Sequence, residues 1–241
     1  MNCVLITGAT SGIGMQLAKD YADSGWQVVA CGRNRLALQL LQQYSSLITP
    51  LEFDLTDLNE TTKAIGKLDL EPELWILNAG NCEYIDNGVI EAALFRRVFD
   101  INVIGLVNAI EACQSRFRAG HRIAIVGSIA SELALPRAEA YGASKAAVSY
   151  LARTLQLALK KQSIDVSTVY PGFVETPLTD KNTFPMPMMV SVEYASKAIR
   201  DGLAKGLSHI YFPRRFTLLM RLLGALPYRW QNVLTSKLIS G

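Results

Sequence analysis

The chain has 241 residues, of which 50% are hydrophobic and 19% charged. That balance excludes a disordered polar chain and leaves enough apolar material for the core of one large α/β domain. The formal net charge of +3 is too small to argue for a nucleic-acid partner.

Val4-Leu5-Ile6 reads as a short buried strand. Thr7-Gly8-Ala9-Thr10-Ser11-Gly12-Ile13-Gly14 follows, then a helical pattern over 15–24 that Gly25 ends. A glycine loop between strand and helix lets backbone N–H groups approach phosphate, and the helix N-terminus favours the negative charge. The spacing is Gly-x-x-x-Gly-x-Gly, not the G-x-G-x-x-G fingerprint, so a tight packing turn fits the loop alone equally well. A second strand is expected over 27–31, with Gly32-Arg33-Asn34 after it. A dinucleotide unit that takes NAD commonly has an acid here on the ribose 2′-hydroxyl. Arg33 in that slot suits a 2′-phosphate, which favours NADP(H) over NAD(H).

A helix over 35–44, a third strand over 51–55 and a helix over 59–66 come next. Asp54 can accept from an adenine amino group or cap the following turn. The run 74–77 is an almost wholly apolar strand, as in a buried parallel sheet, and ends in Asn78-Ala79-Gly80. Residues 94–113 read as one long helix; Asn102 within it is a polar amide in apolar company and needs partners. A strand over 122–126 leads to Gly127-Ser128, and a helix is expected over 138–159. Tyr141 and Lys145 are four apart on that helix, so phenol and ammonium act at one point. A neighbouring cation lowers a phenol pKa from its free value of about 10. Alone, such a pair is more often a packed Tyr and a solvated Lys. The strand over 164–169 runs into Tyr170-Pro171-Gly172-Phe173-Val174-Glu175-Thr176.

Residues 180–190 hold Pro185, Pro187 and three Met without helical period, and are expected to form a substrate lid; the Met content fits an apolar substrate. The segment 216–226 is nearly all apolar, with Arg214, Arg215, Arg221, Arg229 and Lys237 around it and Tyr228 and Trp230 after it. From 202 to 241 there are six Lys or Arg and no Asp or Glu. Packing on the sheet or on a neighbouring subunit, or walling the substrate pocket, is the favoured reading of this segment, and contact with a membrane surface is the second. No apolar run approaches the roughly 20 residues of a membrane-spanning helix. The first apolar run is too short for a signal peptide. Cys3, Cys31, Cys82 and Cys113 have no metal or redox spacing, so no metal is expected, and a reducing, cytoplasmic setting is.

Alternating strands and helices argue for an α/β, doubly wound parallel sheet, a Rossmann fold with one domain over 1–241. In such sheets ligands bind at the carboxyl ends of the strands. The motifs fall at those ends, and in this order the chain resembles the classical short-chain dehydrogenases/reductases over about residues 2–179. Gly8, Thr10, Ser11, Gly12, Ile13 and Gly14 match the family's cofactor loop. Asp54 and Leu55 match its adenine site, and Asn78, Ala79 and Gly80 its sheet-stabilising motif. Asn102, Ser128, Tyr141 and Lys145 match its catalytic set. Pro171, Gly172 and Val174 match the segment after the later strand, and Thr176 its carboxamide-binding threonine. Leu77 departs, where many members have a second Asn.

The resemblance implies hydride transfer between a nicotinamide and a carbonyl or alcohol carbon of a small molecule. Tyr141 would be general acid/base, and Ser128 would position the substrate oxygen. Lys145 would tune Tyr141 and hold ribose hydroxyls, and Asn102 would bind a relay water. It also implies a homodimer or homotetramer paired through the helix from Tyr141 and the one containing Asn102. The former helix is apolar around most of its girth. A non-catalytic NADP(H) sensor and a sugar-nucleotide epimerase or dehydratase are the alternatives. A sensor need not retain Tyr141, and the epimerases usually carry a larger C-terminal substrate domain.

Overall fold

Apolar runs with little alternation become strands covered on both faces. In the computed structural model, which describes residues 2–85, 88–180 and 185–236, they are β1 (Cys3–Thr7), β2 (Gln27–Gly32), β3 (Ile48–Glu52), β4 (Leu74–Leu77), β5 (Arg122–Val126), β6 (Asp165–Pro171) and β7 (His209–Phe212). All pair in parallel, in the order β3-β2-β1-β4-β5-β6-β7. The order reverses between β1 and β4, and a crevice opens there beyond the strand ends. The helices are α1 (Gly12–Asp23), α2 (Arg35–Tyr44), α3 (Leu58–Gly66), α4 (Ala92–Phe99), α5 (Gly105–Cys113), α6 (Glu139–Lys160), α7 (Val192–Ala204), α8 (Arg214–Gly224) and α9 (Tyr228–Ser236).

Successive strand residues point to opposite faces, which divides the core in two. Val4, Ile6, Val28 and Ala30 pack with Leu17, Leu38, Leu41 and Ile199 of α1, α2 and α7. Leu5, Val29, Trp75 and Ile123 pack with Ile65, Leu106, Ala109 and Val148 of α3, α5 and α6. This is the doubly wound single domain expected from the alternation.

Four elements differ from the sequence reading. Helix α1 begins at Gly12 rather than at 15, so the later loop glycines already belong to it. Strand β3 runs Ile48–Glu52 rather than 51–55 and contains Pro50. It is an edge strand paired only with β2, where a missing N–H costs no ladder bond. Strand β6 continues to Pro171. The single helix expected over 94–113 is α4 and α5 joined by a π turn, Asp100–Ile104, in which Gly105 N–H reaches the Asp100 carbonyl. α7 and β7 were not anticipated. Part of the expected lid, 181–184, and Lys237 lie outside the described residues. Among the described residues no helix is long and apolar enough to cross a membrane.

Candidate active site

The ends of β1 and β4 are tied together before any ligand is considered. The Thr7 hydroxyl accepts from Asn78 N–H at 3.0 Å and Ala79 N–H at 3.1 Å. Asn78 Nδ2 donates to the carbonyls of Thr7 at 3.1 Å and Gly8 at 3.3 Å. These bonds fix the glycine loop against the neighbouring strand. They also explain two glycines. At Gly8, with φ +66°, a Cβ would lie 2.8 Å from Ala79 Cα. At Gly14 a Cβ would run into the Gly8 carbonyl oxygen and stand 2.6 Å from Asn78 Nδ2. Thr7 opens the expected cofactor loop, but its part in tying β1 to β4 was not anticipated; a lone hydroxyl ending an apolar strand was its signal.

A cavity of about 1230 Å³ extends from this loop along the strand ends. Gly8, Thr10, Ser11, Gly12 and Ile13 line it under the loop, with Asn78, Ala79 and Gly80 beside them. Arg33, Asp54 and Leu55 border one end. Ser128, Tyr141, Lys145, Pro171, Gly172, Val174 and Thr176 border the other. Of the expected residues only Gly14 and Asn102 do not line it: Gly14 lies beneath the loop, and Asn102 behind the wall, 2% exposed.

At the first end, Arg33 Nη1 donates to Asp54 Oδ2 at 2.9 Å. Asp54 Oδ1 accepts from Thr56 N–H at 2.9 Å and Thr56 Oγ1 at 2.8 Å. Burial raises the Asp54 carboxyl, but the bonds from Thr56 and Arg33 outweigh it and hold the group below its usual value.

At the second end, the Ser128 hydroxyl accepts from Ala130 N–H at 3.1 Å and is hydrogen-bonded to Tyr141. Tyr141 is half-buried and lines the cavity. Burial raises its pKa, the Cys82 thiol adds to that, and the Ser128 bond opposes it. Lys145 Nζ donates to the Val126 carbonyl at 3.0 Å and stands 5.9 Å from the Tyr141 ring centroid. Burial lowers Lys145 to about 8, with Cys82 opposing the shift. At neutral pH the ammonium therefore persists. An ammonium beside the ring favours the phenolate over the phenol, but burial outweighs it, so the lowered Tyr141 pKa expected from the sequence is not found.

The amide of Asn102 is held by the π turn. Nδ2 donates to the Asn81 carbonyl and to Ser144 Oγ, both at 2.9 Å, and Oδ1 accepts from Asn81 N–H at 2.7 Å. That leaves one lone pair on Oδ1. A Cβ at Gly80 would lie 3.2 Å from Oδ1 and 3.4 Å from Lys145 Nζ, so the glycine keeps the space between them open.

Beyond Tyr141 the wall is apolar. Phe216, Leu219, Met220 and Leu223 of α8 supply much of it, with Phe173, Leu135, Pro185, Pro187 and Met188. Walling the pocket was one of the readings the sequence left open for this segment, and the lining residues of α8 agree with it. Which side of a leucine-rich helix meets a cavity is set by tertiary docking.

A family model described as short chain dehydrogenase matches residues 2–185. An uncharacterized oxidoreductase of Myxococcus xanthus is 31% identical over 233 residues, 92% of each chain. A short-chain dehydrogenase of Burkholderia cenocepacia, solved in complex with NADP, has a TM-score of 0.83 at 24% identity, covering 98% of this chain and 97% of its own. One from Burkholderia phymatum, solved with NAD, has a TM-score of 0.81 at 20% identity and 92% coverage of both. At these identities the two structures speak for the fold.

Proposed function

We propose, from the premise that this chain belongs to the short-chain dehydrogenase family and is an oxidoreductase of carbonyl and alcohol carbons, that it works with NADP(H) in preference to NAD(H) and uses Tyr141 as proton donor and acceptor. The observation that carries this reading is one continuous cavity. It has a glycine cradle under its middle, Arg33 at one end, and Ser128, Tyr141 and Lys145 at the other. The cradle fits a pyrophosphate, because added side chains at Gly8 or Gly14 would meet the protein's own backbone. Arg33 and Asp54 would hold the adenosine end, with Arg33 on the 2′-phosphate. Asn78, Ala79 and Gly80 would face the adjoining ribose, and Thr176, with Pro171, Gly172 and Val174, the nicotinamide carboxamide.

The nicotinamide supplies the hydride. In the reducing direction Tyr141 gives its phenolic proton to the oxygen that becomes the alcohol, and Ser128 hydrogen-bonds the same oxygen and fixes its place. Lys145 stabilises the phenolate left behind and can hold ribose hydroxyls. Asn102 positions the Asn81 backbone and Ser144. Its remaining lone pair and Lys145 flank the space over Gly80, where a water would return the proton. The apolar wall from α8 favours an apolar carbonyl or alcohol substrate, with 185–190 as part of its lid.

The test is Tyr141→Phe, assayed with NADPH and a panel of apolar carbonyl compounds, with cofactor affinity measured in parallel. Turnover should fall by at least about a hundredfold, the usual contribution of general acid catalysis, while NADPH affinity stays within a few-fold. Retained turnover would remove Tyr141 from the role; loss of affinity as well would make it structural.

A further inference from the structure

Among the described residues, the C-terminal helices carry an outward face that the fold does not use. On α8, Phe216, Thr217 and Met220 turn inward and are buried. Leu218, Leu219 and Leu222 turn outward, with 55%, 52% and 60% exposure. Arg214, Arg215 and Arg221 are exposed among them, and Arg221 lies 4.4 Å over the Tyr211 ring. In α9, Tyr228 is 82% and Trp230 50% exposed, with Arg229 stacked on Trp230 at 5.1 Å. An ordinary surface helix turns polar residues to water. The outward set here is leucine and arginine, and no acid occurs from 202 to the end of the chain. Contiguous leucines of this kind mark an interaction surface, unlike single scattered ones.

We propose that this face docks on an anionic lipid bilayer, with α8 lying in the plane of the headgroups. The leucines enter the acyl boundary, the arginines extend to lipid phosphates, and Tyr228 and Trp230 sit at headgroup level. Helix α8 has 11 residues and is about 16 Å long, half a hydrocarbon core, so it lies on the surface rather than crossing it. Charge chooses the bilayer over a second copy of the chain. A two-fold contact through this face would set Arg214, Arg215 and Arg221 against the same three arginines. The same helix walls the active-site cavity: Leu219 is exposed and also lines it, next to Met220 and Leu223. Docking would therefore bring the apolar wall to the lipid side, but binding itself does not depend on the catalytic assignment.

The experiment is co-sedimentation of the full chain with vesicles of phosphatidylcholine, with and without phosphatidylglycerol, at low and at high salt. The protein should sediment with the phosphatidylglycerol vesicles at low salt and be released by high salt. Arg214→Gln with Arg215→Gln should weaken binding about 25-fold, near fivefold for each charge. Leu218→Ser with Leu222→Ser should abolish it. Neither pair lines the cavity, so NADPH affinity and the thermal midpoint should stay at the wild-type values. If the serine pair loses its fold, the arginine pair and the wild-type salt response still decide. Failure of the wild type to bind, equal binding to pure phosphatidylcholine, or undiminished binding by the arginine pair would overturn the proposal. So would a change of mass in light scattering on making the serine pair, without vesicle binding by the wild type; that would assign the face to a second copy.

Discussion

Cofactor choice is the property on which the structure and the sequence pattern press hardest on one residue. Arg33 is paired with Asp54 at 2.9 Å, with 63% and 32% of the two side chains exposed. An ion pair that exposed contributes about 0–1 kcal/mol, so drawing the guanidinium toward a ligand costs little. One charge-assisted hydrogen bond to a 2′-phosphate contributes about 1.5–3 kcal/mol. The difference, about 0.5–3 kcal/mol, corresponds to NADPH binding roughly twofold to 150-fold tighter than NADH. The preference should shrink as salt is raised, because the contact is near solvent. Arg33→Gln removes the charge and leaves Asp54 in place, and should bring the two affinities together. Arg33→Asp sets a carboxylate against the phosphate and offers an acceptor to the 2′-hydroxyl, and should reverse the order. Titration of nicotinamide fluorescence with each protein gives all six dissociation constants. Equal affinities in the wild type would refute the argument. A glutamine variant that keeps the wild-type ratio would show that Arg33 serves only Asp54.

Three further outcomes follow from the same geometry. Lys145 works as the ammonium and is held down to about 8 by burial, so kcat/KM for carbonyl reduction should be level below that pH and fall above it. Tyr141 is shifted upward, away from neutrality, and should add no second break near 7; such a break, or a level profile well into alkali, would refute the assignment. Gly14→Ala places a methyl against the Gly8 carbonyl and Asn78, and should abolish measurable cofactor affinity and lower the thermal midpoint, both readable in one thermal-shift titration. Tyr150 and Leu157 on α6 are each 72% exposed, and Ile104 beside α5 is 48% exposed. We expect light scattering at micromolar concentration to give a dimer or tetramer and Leu157→Glu a smaller species; a wild-type monomer would count against pairing through these helices.

What could be read in the sequence was what local chemistry dictates. The glycine loop, the apolar β4 and the i, i+4 pair on α6 are each written in a few adjacent residues, and the structure brings the loop, the Asn78-Ala79-Gly80 end of β4 and the pair to one cavity. Arg33 was legible for a related reason: one strand separates it from the loop, and a parallel sheet returns the ends of β1 and β2 to the same edge. What stayed hidden depends on neighbours far along the chain. The third strand was expected over 51–55, but β3 starts at Ile48 and includes Pro50, which an edge strand tolerates. Nothing local to 100–104 signals a π turn, yet that turn gives the Asn102 amide its reach to Asn81 and to Ser144.

Helix α8 is the sharpest case. Its leucines look alike in sequence, and a 3.6-residue period cannot rank two faces that are both apolar. Docking against the loops after β5 and β6 divides them: Phe216 and Met220 pack on Ile129, Leu133 and Phe173, whereas Leu218 and Leu222 remain outside. The sequence reading weighed packing or walling the pocket against membrane contact as alternatives for the whole segment. The structure makes them properties of opposite sides of one helix. Its inner side forms the wall of the cavity, so a change made outside to disturb an interaction surface can be separated, residue by residue, from one that disturbs the active site.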